Sequence, residues 1–387
     1  MNLILKFVKH ESFGGVLLII STVLALIFQN GFLSEFYREI LRAEFSIGFR
    51  DFNLSKPLIL WVNDGLMAIF FFVVGLELKR EVVDGELSKP SQIALPTIAA
   101  LGGVIFPALI FWFFNHSNEF AIRGWAIPTA TDIAFALGVL LLLGKRVPSS
   151  LKIFLLTLAI IDDLCAIIII ALFYTSTLSF SAFLMAIICL FALGVLNYFK
   201  VGIKSIYILI TIILWLSVLK SGVHATIAGV VAAFFVPLKD KDGRNFLEEL
   251  EHDWHGITSY IILPVFAFVN AGVGLSGVHI NQLLNSVSLG IFFGLFIGKQ
   301  VGVFLFSFIF IKLGFGKLPE GSTWKQFYGV CILTGIGFTM SLFVDSLAYN
   351  DSAAFFHADK LAILLASFTA GVIGFIYLYI FSKKIKD

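Results

Sequence analysis

Residues 159–170 have the sequence Ala-Ile-Ile-Asp-Asp-Leu-Cys-Ala-Ile-Ile-Ile-Ile, in which two carboxyl groups stand inside an apolar run. The run extends over residues 150–174, which is long enough for a helix to cross a bilayer. Each ionised side chain in the middle of such a helix costs about 2.5–3.5 kcal/mol on insertion scales. Asp162 and Asp163 must therefore be paired, hydrated or neutralised, and residues of this kind mark ion pathways.

The composition of the whole chain is that of a membrane protein. Of its 387 residues, 59% are hydrophobic and 13% are charged, and the mean hydropathy is +0.98. A soluble domain carries about 25% charged residues, so a secreted enzyme and a disordered protein are excluded. The balance of 27 basic and 25 acidic residues gives no attraction for nucleic acid. No nucleophile–base pair or set of metal ligands indicates an enzyme, and we expect one membrane transport domain over residues 1–387.

The apolar runs predict an all-α polytopic fold with twelve transmembrane helices. We place them at residues 12–30, 58–79, 94–115, 121–143, 150–174, 179–199, 204–218, 222–236, 255–273, 287–311, 325–348 and 357–381. An even number puts both termini on one side, and most of the loop Lys and Arg residues fall on that side, which predicts cytoplasmic termini. The long loop 31–57 is then external, with a short β-hairpin, and the loop 237–254 is cytoplasmic and amphipathic.

Two further ionisable residues lie near the middle of predicted spans, and two spans contain helix-breaking sequences. Asp132 ends the stretch 126–132, which contains Pro128, and Lys299 lies in the tenth span. The glycines of the stretch 333–339 favour a break in the eleventh span. Interrupted helices in corresponding positions of two halves point to a transporter site. We therefore predict two inverted-topology repeats, residues 94–174 and 287–381, with two unwound helices that cross.

The chemistry of the Asp162–Asp163 pair predicts an exchanger. Burial and the neighbouring like charge both oppose ionisation, so the pair can hold a proton. When ionised, the same oxygens suit a small hard cation such as Na⁺, and Lys299 can pair with either carboxylate when no cation is bound. Two acidic groups and one cation site also permit an electrogenic cycle. A sodium-coupled symporter of an organic solute, and a channel or non-transporting sensor, remain open alternatives.

Several motifs resemble those of the NhaA family of bacterial Na⁺/H⁺ antiporters. They lie at residues 63–68, 75–81, 130–138, 159–164, 220–226 and 335–341. The resemblance implies twelve helices, of which the fourth and eleventh are unwound, and an external β-hairpin that joins a homodimer. It also implies a protein of the bacterial inner membrane that needs no cofactor and exports Na⁺ or Li⁺ in exchange for H⁺.

The resemblance assigns roles to individual residues. Asp162 and Asp163 are the essential carboxyl groups that bind Na⁺, and three residues accompany them, namely Thr131, Asp132 and Lys299. A cytoplasmic pH-sensing cluster is implied at Glu77, Glu81, Arg244, Glu251 and His255. Glu248 and Glu249 stand where relatives often have basic residues, and Cys165 stands where glycine is usual.

Overall fold

The computed structural model describes residues 2–49, 52–85, 90–174, 179–275, 280–349, 355 and 357–382. The predicted repeat 287–381 includes positions 350–354 and 356, which lie outside the described residues, as do positions 50–51 of the predicted external loop 31–57.

The described chain is mostly helical, with one small sheet. The α-helices of the described residues are α1 Asn2–Asn30, α2 Ser34–Arg42, α3 Leu58–Trp61, α4 Met67–Val83, α5 Pro90–Asn115, α6 Ile133–Leu142, α7 Ser149–Phe173, α8 Phe180–Tyr198, α9 Lys204–Ser221, α10 Ile227–Phe234, α11 Phe246–Ile257, α12 Leu263–Asn270, α13 Ile280–Leu283, α14 Ser286–Phe293, α15 Gln300–Lys312, α16 Trp324–Leu333, α17 Phe338–Tyr349 and α18 Ala358–Phe381. Shorter segments are π-helical at Val62–Leu66, Thr258–Ile262 and Gly294–Lys299, and 3₁₀-helical at Ala121–Thr129 and Gly144–Arg146. The two strands are β1 Glu44–Phe49 and β2 Phe52–Pro57.

The polytopic membrane fold is confirmed at the level of its apolar helices. Within the described ranges, 9 helical segments are long and apolar enough to cross a membrane, and the bent pair α16 and α17 makes up to 10. The predicted eighth and ninth spans are not among them. α10 has only 8 residues, and the helical run through α11 and α12 begins with acidic residues of the predicted cytoplasmic loop. The count of twelve therefore stays a prediction.

The predicted β-hairpin is confirmed. β1 and β2 pair antiparallel, with Glu44 opposite Pro57 and Phe49 opposite Phe52. Alternation of apolar and polar residues in this stretch favours such a ribbon. The hydroxyl groups of Ser46 and Ser55 lie 2.8 Å apart across the strands and add a side-chain hydrogen bond.

Two compact units make up the chain. The first comprises Met1–Phe32, Lys89–Ala166 and Asn270–Asp387. In it α5 packs closely against α15, because Gly102 and Gly302 face each other without side chains. A β-carbon added at either glycine would overlap the backbone of the other. This close approach holds the helices that surround the candidate ion site.

The second unit comprises Leu33–Ser88 and Ile167–Val269. Its core contains apolar residues of α4, α8, α9, α10 and α11, and Tyr207 lies fully buried within it. α11 is amphipathic and buries Leu247 and Leu250 in this core, with Trp254 half-buried beside them. The same helix carries Glu251, so the core fixes the position of that carboxyl group.

Candidate functional site

The fourth predicted span is interrupted by an extended segment. A 3₁₀-helix ends at Thr129, and Ala130 and Asp132 have extended backbone angles before α6 begins at Ile133. Pro128 lies in the last turn of the 3₁₀-helix. Proline lacks a backbone donor and clashes with the preceding turn, so a regular helix cannot continue through it.

A second interruption, residues 334–337, separates α16 from α17 and bends the pair by 42°. The two interruptions hydrogen-bond to each other. The backbone N–H of Asp132 donates to the carbonyl of Ile336 at 2.7 Å, and the Thr131 hydroxyl donates to the carbonyl of Thr334 at 3.0 Å. Gly337 permits this approach, since a β-carbon there would lie 3.0 Å from the carbonyl oxygen of Ala130.

The Asp132 carboxylate joins the two helices that follow the interruptions. Its Oδ1 accepts the backbone N–H of Phe135 at 2.9 Å and so caps α6. Its Oδ2 accepts the backbone N–H of Thr339 at 3.0 Å, and also the Thr339 hydroxyl. Asp132 is 2% exposed, and its buried charge is therefore stabilised by donors of the protein itself.

Asp162 and Lys299 form a fully buried ion pair. The Lys299 ammonium lies 2.6 Å from Oδ2 of Asp162, and the two side chains are 0% and 1% exposed. Thr131 lies beside the Asp162 carboxylate. Asp163 is also buried, at 1% exposure, and points about 100° around α7 from its neighbour. The first unit therefore contains two adjacent acidic side chains, of which one is compensated by a lysine.

Lys299 occupies a tightly packed position at the end of the π-helical segment Gly294–Lys299. Gly103 of α5 faces it, and a β-carbon there would lie 3.6 Å from the Lys299 ammonium. π-helical turns occur often at functional sites. The packing leaves the ammonium no access to bulk solvent, so its charge must be balanced locally.

A second group of charges lies in the other unit, where α4 meets α11. Arg80 donates to Glu251 at 2.8 Å and contacts Glu81 at 2.9 Å. Glu77 interacts electrostatically with all three of these residues. Burial raises the pKa of the Glu251 carboxyl above its ordinary value, and the contact with Arg80 opposes this rise.

Arg244 and His255 are also predicted to belong to this group. The Arg244 guanidinium binds Asp240 at 2.7 Å and approaches Asp242 at 3.5 Å. His255 is half-buried on α11, one turn after Glu251. Of the five predicted residues, Glu77, Glu81 and Glu251 thus interact with one another around Arg80.

Residues 5–378 match the Na⁺/H⁺ antiporter 1 family. The chain belongs to this family. It is 81% identical over its whole length to a protein of Campylobacter fetus subsp. fetus named Na⁺/H⁺ antiporter NhaA 2, covering 98% of that protein. It is 60% identical to an NhaA antiporter of Campylobacter curvus, over 98% of the chain and 95% of the relative, and 58% identical to one of Sulfurovum sp., over 99% of each. These matches confirm the sequence-based assignment to the family. Members of the family are transporters and not enzymes.

Two residues of these candidate sites, Arg80 and Thr339, are not among the site residues predicted from the sequence. Arg80 follows Glu77 at a spacing of three, which places both on one face of a helix, so its role as counter-ion could have been predicted. Thr339 is the partner of Asp132. Thr339 lies in the eleventh predicted span. Its contact with Asp132, however, depends on how the two helix interruptions meet, and the sequence pattern does not show this.

Proposed function

We propose that this protein exports Na⁺, or Li⁺, in exchange for H⁺. The observation that carries the proposal is the buried set of Asp162, Asp163 and Lys299 in the first unit, with Lys299 paired to Asp162 at 2.6 Å. The family names Na⁺/H⁺ exchange as the activity of the relatives. A buried carboxylate that already holds a monovalent cationic group suits a monovalent metal ion in the same place.

The exchange follows from competition for one set of oxygens. Na⁺ entering from the cytoplasm binds the carboxylates of Asp162 and Asp163 and displaces the Lys299 ammonium. After the protein reorients, external protons displace Na⁺, and the protonated site returns and releases its protons to the cytoplasm. Because proton and cation exclude one another, the two fluxes are coupled. Two carboxyl groups that release protons for one cation make the cycle electrogenic.

The interrupted helices provide the flexible part of this site. We propose a fold of twelve transmembrane helices in which residues 94–174 and 287–381 form inverted repeats, and in which the fourth and eleventh spans unwind and cross. The hydrogen bonds that join Asp132 and Thr131 to the segment 334–337 support this arrangement. Broken helices at the midplane expose backbone partial charges to an ion, and Thr131 and Asp132 lie at that point.

The charges of the second unit are proposed to set the pH of activity. Glu77, Glu81 and Glu251 share the counter-ion Arg80, and we include Arg244 and His255 in the pH-sensing group. Because burial raises the pKa of Glu251, this carboxyl ionises closer to neutral pH than an exposed glutamate does. Glu248 and Glu249 add negative charge to the same helix, so we expect a set-point that differs from that of relatives with basic residues there.

We further propose that the protein lies in the bacterial inner membrane with both termini in the cytoplasm. The surplus of basic loop residues on the side of the termini supports this orientation. The hairpin of β1 and β2 is then external, and we propose that it joins two copies in a homodimer.

The proposal is tested by reconstituting the protein in liposomes with an entrapped pH-sensitive dye. Adding Na⁺ or Li⁺ outside should dissipate an imposed pH gradient without any organic solute, whereas a sodium-coupled symporter would require such a solute. Asp163→Asn should abolish this exchange and fold normally. The matched control is Asp242→Asn, since the Asp242 carboxylate is 77% exposed. Full exchange by Asp163→Asn would refute the proposed site.

A further inference from the structure

Gln300 directly follows Lys299 and satisfies a backbone group of the π-helical segment. Its backbone N–H donates to the carbonyl of Ile297, so that N–H does not serve the carbonyl of Phe296. The side-chain amide of Gln300 donates to that Phe296 carbonyl instead. This side-chain donor adds a hydrogen bond to the turn that precedes Lys299, and Gln300 is itself buried at 7% exposure. Its side chain therefore stabilises the π-helical geometry.

Tyr328 of α16 fixes the Gln300 side chain from the opposite side. Its hydroxyl donates to Oε1 of Gln300 at 3.0 Å. The Tyr328 ring is held edge-on against Phe304, at 5.2 Å between ring centroids, and against Tyr377, at 5.7 Å. These ring contacts fix the position of the Tyr328 hydroxyl. The Gln300 amide is therefore held through its oxygen by Tyr328 and through its nitrogen by the Phe296 carbonyl.

We propose that Gln300 and Tyr328 are positioning residues that hold the π-helical segment in register and thereby aim Lys299 at Asp162. The inference rests on the proposed function, in which Lys299 competes with Na⁺ for Asp162. A helix that changes from π to α geometry rotates its next residues around the axis. Loss of the Gln300–Tyr328 contact therefore weakens the ion pair, although neither side chain touches the carboxylate.

The expected consequence is a change in cation affinity. If Lys299 holds Asp162 less firmly, Na⁺ meets a weaker competitor, so the apparent KM for Na⁺ falls. For Tyr328→Phe we expect a fall of about two- to tenfold, the fold-change that corresponds to one hydrogen bond, with the maximal rate within about twofold of wild type. Gln300→Leu should lower the KM at least as much, because it also removes the donor to Phe296. The double variant should behave as Gln300→Leu alone, since both changes act through one contact.

The experiment measures Na⁺-dependent exchange in proteoliposomes at the pH of maximal rate, together with backbone amide hydrogen exchange of residues 294–300 by mass spectrometry. Tyr379→Phe is the matched control, because Arg146 lies over the Tyr379 ring at 4.0 Å and contacts its backbone carbonyl. Both positioning variants should show faster amide exchange in this segment, and the control should show wild-type values in both measurements.

The outcomes separate this inference from the proposed function. A wild-type KM in Tyr328→Phe and Gln300→Leu overturns the positioning role, whether or not amide exchange is faster, because a merely structural contact predicts that result. Wild-type amide exchange in both variants refutes the inference that Gln300 and Tyr328 stabilise the π-helical segment. If the wild-type protein exchanges no Na⁺ for H⁺, the proposed function fails, and amide exchange alone still decides whether Gln300 and Tyr328 hold the segment.

Discussion

Replacing Asp132 with alanine should destabilise the fold of the first unit by removing the link between its two helix interruptions. The carboxylate accepts backbone N–H groups from Phe135 and Thr339 and the Thr339 hydroxyl. Alanine cannot accept any of them. Because the site is buried, no bulk water replaces the lost acceptor.

The cost follows from these three contacts. Loss of the N-cap of α6 costs about 1 kcal/mol. A buried backbone N–H left without an acceptor, here that of Thr339, costs about 1–3 kcal/mol. Alanine also relieves the cost of burying a carboxylate, which offsets the loss of the hydroxyl contact. We therefore expect Asp132→Ala to lower the free energy of unfolding by about 2–4 kcal/mol. Thr339→Val, which removes only the hydroxyl donor, should lower it by about 0.5–1.5 kcal/mol.

The measurement is equilibrium unfolding in mixed detergent micelles, followed by tryptophan fluorescence. Asp242→Ala is the control and should remain within about 0.5 kcal/mol of wild type, as exposed positions do. The reasoning is refuted if Asp132→Ala unfolds with the wild-type free energy. It is also refuted if Thr339→Val costs more than Asp132→Ala, because the carboxylate would then not be the centre of the link.

Two further predictions concern pH and packing. Because burial raises the pKa of Glu251, the folded protein keeps this carboxyl protonated to higher pH than the unfolded chain does. The free energy of unfolding should therefore fall as the pH rises from about 4.3, the pKa of an exposed glutamate, towards the raised pKa of the folded state. Melting curves between about pH 4 and 8 should show a smaller fall for Glu251→Gln, and an identical fall would contradict the assignment. Gly102→Val should cost about 1–3 kcal/mol or more, because its side chain would overlap the backbone of Gly302. In the control Gly256→Ala the added carbon comes only to 4.0 Å from Tyr260, and equal melting temperatures for the two glycine variants would contradict the close approach.

The membrane class, the hairpin and the sites of helix interruption could be predicted from sequence for separate physical reasons. The apolar runs predict membrane helices, because apolar side chains are costly to expose to water. The alternation of apolar and polar residues in 45–55 predicts a two-stranded ribbon. Pro128 predicts an interruption of its helix, because proline lacks a backbone donor and this effect depends only on the local sequence. The number of spans is harder, because α10 is short and because α11 carries charges into the run that continues as α12. For such segments hydropathy alone does not separate a span from an interfacial helix.

The contacts of the candidate site required the structure, since they join residues far apart in the chain. The sequence indicated that Lys299 could pair with Asp162 or Asp163, and the geometry selects Asp162. The sequence likewise placed Asp132 beside a helix interruption, but it did not indicate that Thr339 is its partner. The contact of Tyr328 with Gln300 carries no local signal, because the two residues belong to different helices, α16 and α15.

The buried acids of the first unit differ in what compensates their charge, and this difference predicts a division of roles. The Asp132 carboxylate is compensated by neutral donors that belong to the backbone and to Thr339, and no transported ion can replace them without breaking the helix ends. The Asp162 carboxylate is instead paired with a charged group, the Lys299 ammonium, with Thr131 beside it. A monovalent cation can replace that ammonium and leave the net charge at the carboxylate unchanged, provided that the Lys299 side chain moves aside. We therefore expect loss of Asp132 to act first on stability, and loss of Asp162 or Asp163 to act first on transport.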